Sequence, residues 1–251
     1  MKPLLRPAFL TRPIAHRGLH NSEEGRPENS RAAAVAAIRH GYGIELDLQL
    51  SADGQAMVFH DYALDRLTNG KGAVRQHTAS SLSILKLNGC EEGIPTLKEF
   101  LTLVSGRVPL LIELKDQDGA LGSNVGELEQ ATAEALDGYE GDVALMSFNP
   151  YSAGCFQALA PEIPRGLVTE TFLSKEWPVA ESRLAELTEI PDFMRTGASF
   201  ISHNVRDLDS KRVRELKDQG ASILCWTVRS PEDEVQARKV VHNITFEGYL
   251  A

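Results

Sequence analysis

The sequence predicts an α/β protein of the TIM (β/α)8 barrel class, and three observations carry that expectation. Apolar, strand-like runs alternate with helix-like stretches along the chain. Eight parallel-type strands remain once AMVFHD (56–61) is set aside as the return arm of a hairpin. The length, 251 residues, matches eight strand–helix units. A doubly wound open sheet is the competing architecture. It lacks support, because no GxGxxG follows a strand and the glycines of NGKG (69–72) have the wrong spacing for a phosphate loop.

Each element has its own signal. PIAHRG (13–18) is a short apolar run closing on polar residues. SRAAAVAAIRH (30–40) is alanine-rich with Gly41 just beyond, which reads as a helix and its stop. GIELDLQLS (43–51) alternates with period two, turns at Asp53-Gly54, and returns through AMVFHD. Residues 62–93 are polar and irregular, which predicts a small insertion after this hairpin, near the barrel mouth, within one domain spanning 1–251. Thr96 and Glu99 stand at capping-box spacing ahead of a helix, and PLLIELK (109–115) is the next strand. NVGELEQATAEALDG (124–138) reads as a helix ending before Gly138. VALMSFN (143–149), RGLVTE (165–170), ASFISHN (198–204), ASILCWTV (221–228) and NITFEGY (243–249) read as strands. Helices are expected around 150–159, 181–189 and 209–219, the last with Asp209 as cap and Gly220 as stop. A final helix follows Ser230, with Pro231 at its first position and Asp233 at capping-box spacing.

Composition narrows the function. With 42% hydrophobic residues the chain can bury one large core. A formal net charge of −9 and no Lys/Arg cluster argue against nucleic acid as a partner. Cys90, Cys155 and Cys225 are far apart with no CxxC spacing, so neither a disulfide framework nor a zinc knuckle is expected. Cys225 reads as a small buried apolar residue. The basic start, MKPLLRPAFLTRP, is interrupted by Pro3, Arg6 and Pro7 and lacks the apolar centre of a signal peptide. No run of eighteen apolar residues is present, so no membrane span is expected. These features predict a cytoplasmic enzyme or binding protein.

The chemistry lies in the strand faces. Residues two apart on a strand share a face. Ile44, Leu46, Leu48 and Leu50 therefore share one side, and Glu45, Asp47 and Gln49 the other. Leu110, Ile112 and Leu114 likewise oppose Glu113 and Lys115. In a barrel the apolar side packs against the helices, leaving the carboxylates pointing inward near the C-terminal mouth. A two-residue turn at Asp53-Gly54 sets His60 opposite Asp47, and the first strand places His16 at the same mouth. Two carboxylates ~4 Å apart repel by about 4 kcal/mol at an effective dielectric near 20. Either one is protonated or a cation sits among them. Three hard oxygen donors suit Mg²⁺ or Ca²⁺ better than zinc. His16, Arg17, His60 and Lys115 would draw an anion, a combination suited to phosphoryl chemistry.

HRG (16–18), PENS (27–30), ELD (45–47), FHD (59–61), LDRLTNGKG (64–72), IPTLKEFL (94–101), IELK (112–115) and CWTV (225–228) occur in this order. In that order they resemble the glycerophosphodiester phosphodiesterase family, over most of the chain. The resemblance implies a TIM barrel with a small insertion and a divalent-metal-dependent hydrolase. Its substrates would be glycerophosphodiesters such as glycerophosphocholine or glycerophosphoethanolamine, cleaved to sn-glycerol 3-phosphate and an alcohol. It implies that Glu45, Asp47 and Glu113 are metal ligands and that His16 and His60 are the acid–base pair. Arg17 and Lys115 would then hold the phosphate, and Trp226 would line the glycerol pocket. The family mechanism has the glycerol 2-hydroxyl attack phosphorus to give a cyclic phosphate that water opens. The assignment adopted is His16 as base and His60 as acid.

Two departures from the family pattern stand out. The loop 18–27 is a few residues longer and carries Glu23 and Glu24, and the ending NITFEGYLA replaces a Thr-Asp-x-Pro ending, putting Thr245 and Glu247 at the last mouth. Both bear on the head group. A lysophospholipase D is the second reading, for which the insertion offers only scattered candidates for an apolar entrance, such as Leu82, Ile84, Leu85 and Leu87. A non-catalytic phosphodiester-binding barrel is the third. Glu28 and Asn29 read equally well as caps of the first helix, and His203 equally well as a mouth or a structural residue. Phe148 and Phe172 are expected in the core, and His20, His40, His77 and His242 on the surface.

Overall fold

The structure, a computed structural model, describes residues 2–251. Its strands are β1 (Ile14–Ala15), β2 (Gly43–Leu50), β3 (Ala56–Val58), β4 (Leu110–Leu114), β5 (Val143–Ser147), β6 (Arg165–Thr169), β7 (Phe200–Asn204), β8 (Ser222–Val228) and β9 (Asn243–Phe246). Its helices are α1 (Ala8–Thr11), α2 (Arg31–His40), α3 (Ala79–Leu82), α4 (Leu97–Val104), α5 (Glu127–Leu136), α6 (Pro150–Leu159), α7 (Glu181–Thr188), α8 (Lys211–Asp218) and α9 (Pro231–Ala237). Apart from β3, the strands are parallel, and β1 pairs with both β2 and β9, which closes the ring into a TIM barrel.

Strand alternation builds two cores. The even residues of β2, Ile44 to Leu50, and of β4, Leu110 to Leu114, join Ala34, Phe100 and Phe156 from the helices in the outer core. The opposite parity fills the barrel: Leu111, Ala144, Met146, Val168, Phe200 and Leu224. Gly166 leaves room for the Phe200 ring, since a Cβ there would lie 2.4 Å from it. Leu5 and Phe9 plug the floor, and Asn243 Nδ2 ties α1 to β9 by donating to the carbonyls of Phe9 and Arg12 at 2.8 and 2.6 Å. With its lower layers filled, the barrel is open for chemistry at its C-terminal end alone.

The hairpin register differs from the expected one. Leu48 faces Val58, and Phe59 N donates to Asp47 O at 2.9 Å, so Phe59, not His60, lies opposite Asp47. The connection has three residues, Ala52, Asp53 and Gly54, between the paired Ser51 and Gln55, with Gly54 left-handed at φ 75°. Such a loop needs glycine at its last position and adds one residue to a two-residue turn. The cap of α8 also moves, from Asp209 to Ser210. Ser210 N donates to Asp207 O, which carries the preceding turn through Asp209. The Thr96–Glu99 capping box on α4 and the Ser230 cap on α9 form as expected.

Residues 62–93 build a satellite core of Leu64, Leu67, Val74, Leu82 and Leu87 against Met57, Phe59 and Ile94. Ile84 is exposed. Phe9 is fully buried in the floor. Phe9→Ala should therefore cost about 3–5 kcal/mol of stability, read as a lower urea midpoint; an unchanged midpoint would show that the plug adds nothing.

Candidate active site

β2 and β4 run in register, with Asp47 beside Glu113, and Glu45 sits two residues earlier on the inward face. All three are buried, and one oxygen from each lies within 4.8 Å of the others. The surrounding charges are specific. Lys115 Nζ lies 2.7 Å from Asp47 Oδ1 and 2.5 Å from Glu113 Oε1. Arg17 Nε is 3.3 Å from Asp47 Oδ2, while its backbone N–H donates to Glu45 Oε2 at 2.9 Å. Burial, and next the charges of Asp47 and Glu113, push the Glu45 carboxyl well above its ordinary range. Burial alone would raise Asp47 too, but Lys115, His60 and Arg17 together hold it below its usual value.

Arg17 owes its position to the backbone. It is left-handed at φ 53°, and Gly18 follows at φ 78°, where a Cβ would come within 2.9 Å of the Ala33 Cβ on α2. Only glycine meets both the handedness and the close approach. Asn29, also left-handed at φ 59°, donates from Nδ2 to Asp47 Oδ2 at 2.9 Å. The cap of α2 is Ser30, which accepts from Ala33 N. Asn29 thus serves the carboxylates rather than the helix. Glu28 accepts from Arg17 Nη1 at 2.6 Å and from Arg66 of the insertion.

Both imidazoles are pinned through Nδ1. His16 Nδ1 meets Glu247 Oε2 at 2.5 Å, and His60 Nδ1 meets Asp61 Oδ1 at 2.6 Å. Asp61 is held in turn by Arg66, and Glu247 Oε1 by Arg229. Among the described residues no hydrogen bond occupies Nε2 of either ring, and His16 Nε2 lies 3.9 Å from Glu45 Oε2. Burial lowers the His16 pKa, with the Glu247 hydrogen bond opposing.

A cavity of about 590 Å³ opens over the site, bordered by His60, Glu113 and Lys115 on one side and by Phe148, Trp177 and Trp226 on the other. Phe148 therefore lines the cavity, whereas Phe172 stays in the core and packs on Phe148 at 6.1 Å between centroids. Trp226 is fixed by its Nε1 donating to Ser202 O at 3.1 Å. His203 is structural: buried, with Nδ1 2.8 Å from the Thr169 hydroxyl and Nε2 facing Asp207. His20, expected on the surface, is half-buried with Nε2 3.5 Å from Glu247 Oε2.

Three groups escaped the sequence reading. Asp61 and Arg66 sat unremarked within quoted motifs, and the role of Glu247 as partner of His16 was not foreseen. The acidic residue directly after His60 was the one signal that could have found the first.

The family model of the glycerophosphoryl diester phosphodiesterase family matches residues 16–244. The chain belongs to this family. A glycerophosphodiester phosphodiesterase from Caldanaerobacter subterraneus subsp. tengcongensis is 31% identical over 231 residues, covering 88% of this chain and 86% of the relative. A phosphodiesterase from Oleispira antarctica, solved in complex with the product sn-glycerol-3-phosphate, superposes with a TM-score of 0.78 at 26% identity, covering 96% of this chain and 94% of that one. A glycerophosphodiester phosphodiesterase from Agrobacterium tumefaciens gives 0.69 at 26% identity, with 94% and 96% covered. Family membership and fold together make the chain a phosphodiesterase of glycerophosphodiester type.

Family members are generally dependent on a divalent metal, and the donor set here fits one. Glu45 Oε1 is buried without a hydrogen-bond partner, and Asp47 Oδ1 has only the Lys115 ammonium nearby, without hydrogen-bond geometry. Buried carboxylate oxygens left unpaired are the feature a hard cation satisfies. Asn29→Ala removes a buried partner of Asp47 and should cost about 1–3 kcal/mol in urea unfolding; no change would mean that Asp47 needs no such support.

Proposed function

We propose that the cavity hydrolyses glycerophosphodiesters such as glycerophosphocholine or glycerophosphoethanolamine to sn-glycerol 3-phosphate and an alcohol. Residues 1–251 would act as one catalytic unit, with the insertion 62–93 walling the mouth. One observation carries the reading: two imidazoles, each oriented by a carboxylate on Nδ1, border a buried carboxylate triad. In this reading Glu45, Asp47 and Glu113 hold one divalent cation, Mg²⁺ or Ca²⁺, which when bound supplies charge neutralisation at the phosphate.

The chain's own groups do the rest. Nε2 of His16 takes the proton of the glycerol 2-hydroxyl as its oxygen bonds to phosphorus. Nε2 of His60 gives a proton to the departing alcohol oxygen as the phosphorus–oxygen bond breaks. Water then opens the cyclic phosphate with the roles reversed. Glu247 and Asp61 keep each ring turned so that Nε2 faces the reaction. Arg17 and Lys115 supply fixed positive charge to the phosphate oxygens. The product held by the Oleispira relative supports the glycerol phosphate half of this reading.

The other half of the cavity suits a cationic alcohol. Trp177 Nε1 donates to Glu170 Oε1 at 2.7 Å, and the rings of Tyr62 and Phe148 with the carboxylate of Glu176 complete that side, while Trp226 lines the glycerol pocket. Aromatic faces beside carboxylates favour an ammonium. A lysophospholipid has less support. Leu82 and Leu87 are buried in the insertion's own core, Leu85 packs against it, and of these four Ile84 alone is exposed.

Release of glycerol phosphate from glycerophosphocholine should require Mg²⁺ or Ca²⁺ and stop with EDTA. His16→Ala and His60→Ala should each lose at least ~10²-fold; full activity in either would remove that ring from catalysis. Trp177→Ala should lower kcat/KM for glycerophosphocholine by about two- to thirtyfold more than for glycerophosphoglycerol, whose head group is uncharged. Equal losses on both substrates would place Trp177 outside head-group recognition.

A further inference from the structure

The loop between Gly18 and α2 delivers a residue that the hydrolytic scheme does not use. The loop is closed by Asn21 N donating to Arg26 O at 2.7 Å and by Arg26 Nε donating to Leu19 O at 3.3 Å. This holds His20 against the end of β9. Its Nε2 is shielded from solvent and has no hydrogen-bond partner. It lies 3.5 Å from Glu247 Oε2, the same oxygen that meets His16 Nδ1 at 2.5 Å. One donor atom from each of His16, His20 and Glu247 lies within 4.8 Å of the others. Glu247 Oε1 is already taken by Arg229, so Oε2 alone faces the two rings.

We propose that His16, His20 and Glu247 form a second metal site, one for zinc, whose occupation switches hydrolysis off. Two imidazole nitrogens and one carboxylate oxygen are a zinc donor set, with a fourth position left for water. They are softer than the all-oxygen triad of Glu45, Asp47 and Glu113, so the two sites sort zinc from Mg²⁺ or Ca²⁺ by chemistry. Bonds of about 2.0–2.2 Å in a tetrahedron put donors roughly 3.3 Å apart. The His20–Glu247 separation already matches, and the His16–Glu247 contact needs to open by less than about 1 Å. Access lies behind the barrel mouth: His20 borders a separate cleft of about 1010 Å³ between the loop, α2 and Gly248–Leu250.

The inhibition follows from which nitrogen is bound. Zinc on Nδ1 of His16 displaces the Glu247 hydrogen bond and leaves the ring's one proton on Nε2. A ring protonated at Nε2 has no lone pair there to accept the hydroxyl proton. This step rests on the role proposed for His16, whereas zinc binding itself does not.

The test uses the intact chain in excess Mg²⁺. Zinc affinity is read by competition with a chromophoric chelator, and inhibition by glycerol phosphate release across a zinc series. His20→Ala should keep its activity without zinc while its zinc affinity falls, and its half-inhibitory zinc concentration rises, by about tenfold or more. His20→Gln, which preserves volume, should behave the same way, guarding against misfolding. Equal zinc affinity in wild type and both variants would overturn the site. Zinc binding that depends on His20 but leaves activity unchanged would overturn the switch and count against His16 as base. Loss of activity in His16→Ala, measured without zinc, bears on hydrolysis alone and keeps the two readings separable.

Discussion

Everything in the upper barrel answers one constraint, the placement of three carboxylates inside a protein at mutual contact. Each unrelieved pair at ~4 Å costs about 4 kcal/mol at an effective dielectric near 20, which is comparable to the net stability of many domains. The fold meets this cost with neighbours rather than by distance. Lys115 stands between Asp47 and Glu113, Arg17 and Asn29 take the far side of Asp47, and the Arg17 amide caps Glu45. Two of these neighbours require left-handed backbone at non-glycine residues, Arg17 and Asn29. Strain of this kind persists only where the surroundings over-determine it. It marks the loop from β1 to α2 as built for the site rather than for connection.

The filled floor and the charged mouth are two results of one alternation. The parity that sends Leu111 and Met146 into the barrel also sends Glu113 inward one layer higher, and the opposite parity supplies the helix-facing core. The geometry of the carboxylates is therefore set by paired strands. The imidazoles, to which the proposed mechanism gives the proton transfers, sit just beyond strand ends and have side-chain partners on Nδ1.

What could be read from sequence followed the range of the interaction. Strand faces are local, so Glu45 with Asp47 and Glu113 with Lys115 were visible as pairs, and period two decided which way they point. Caps such as Thr96 and Ser230 are local too. The hairpin register failed by one residue because turn length, not strand pattern, sets it, and Gly54 in left-handed geometry admits an extra residue. The His16–Glu247 contact spans 231 residues and had no local signature. Asn29 was legible as a polar residue at a helix start, but its choice between capping and gripping Asp47 depended on Ser30 taking the cap. His20 gave no periodic or motif signal, because an isolated histidine in a loop carries none.

Arg66 of the insertion reaches two carboxylates at once. It grips Asp61, which orients His60, and Glu28, which braces Arg17. The lobe thereby links the partner of His60 to the partner of Arg17 through one side chain. On the proposed mechanism, a chimera that grafts another relative's lobe onto this barrel needs a guanidinium at the same spot to hold the partners of both His60 and Arg17.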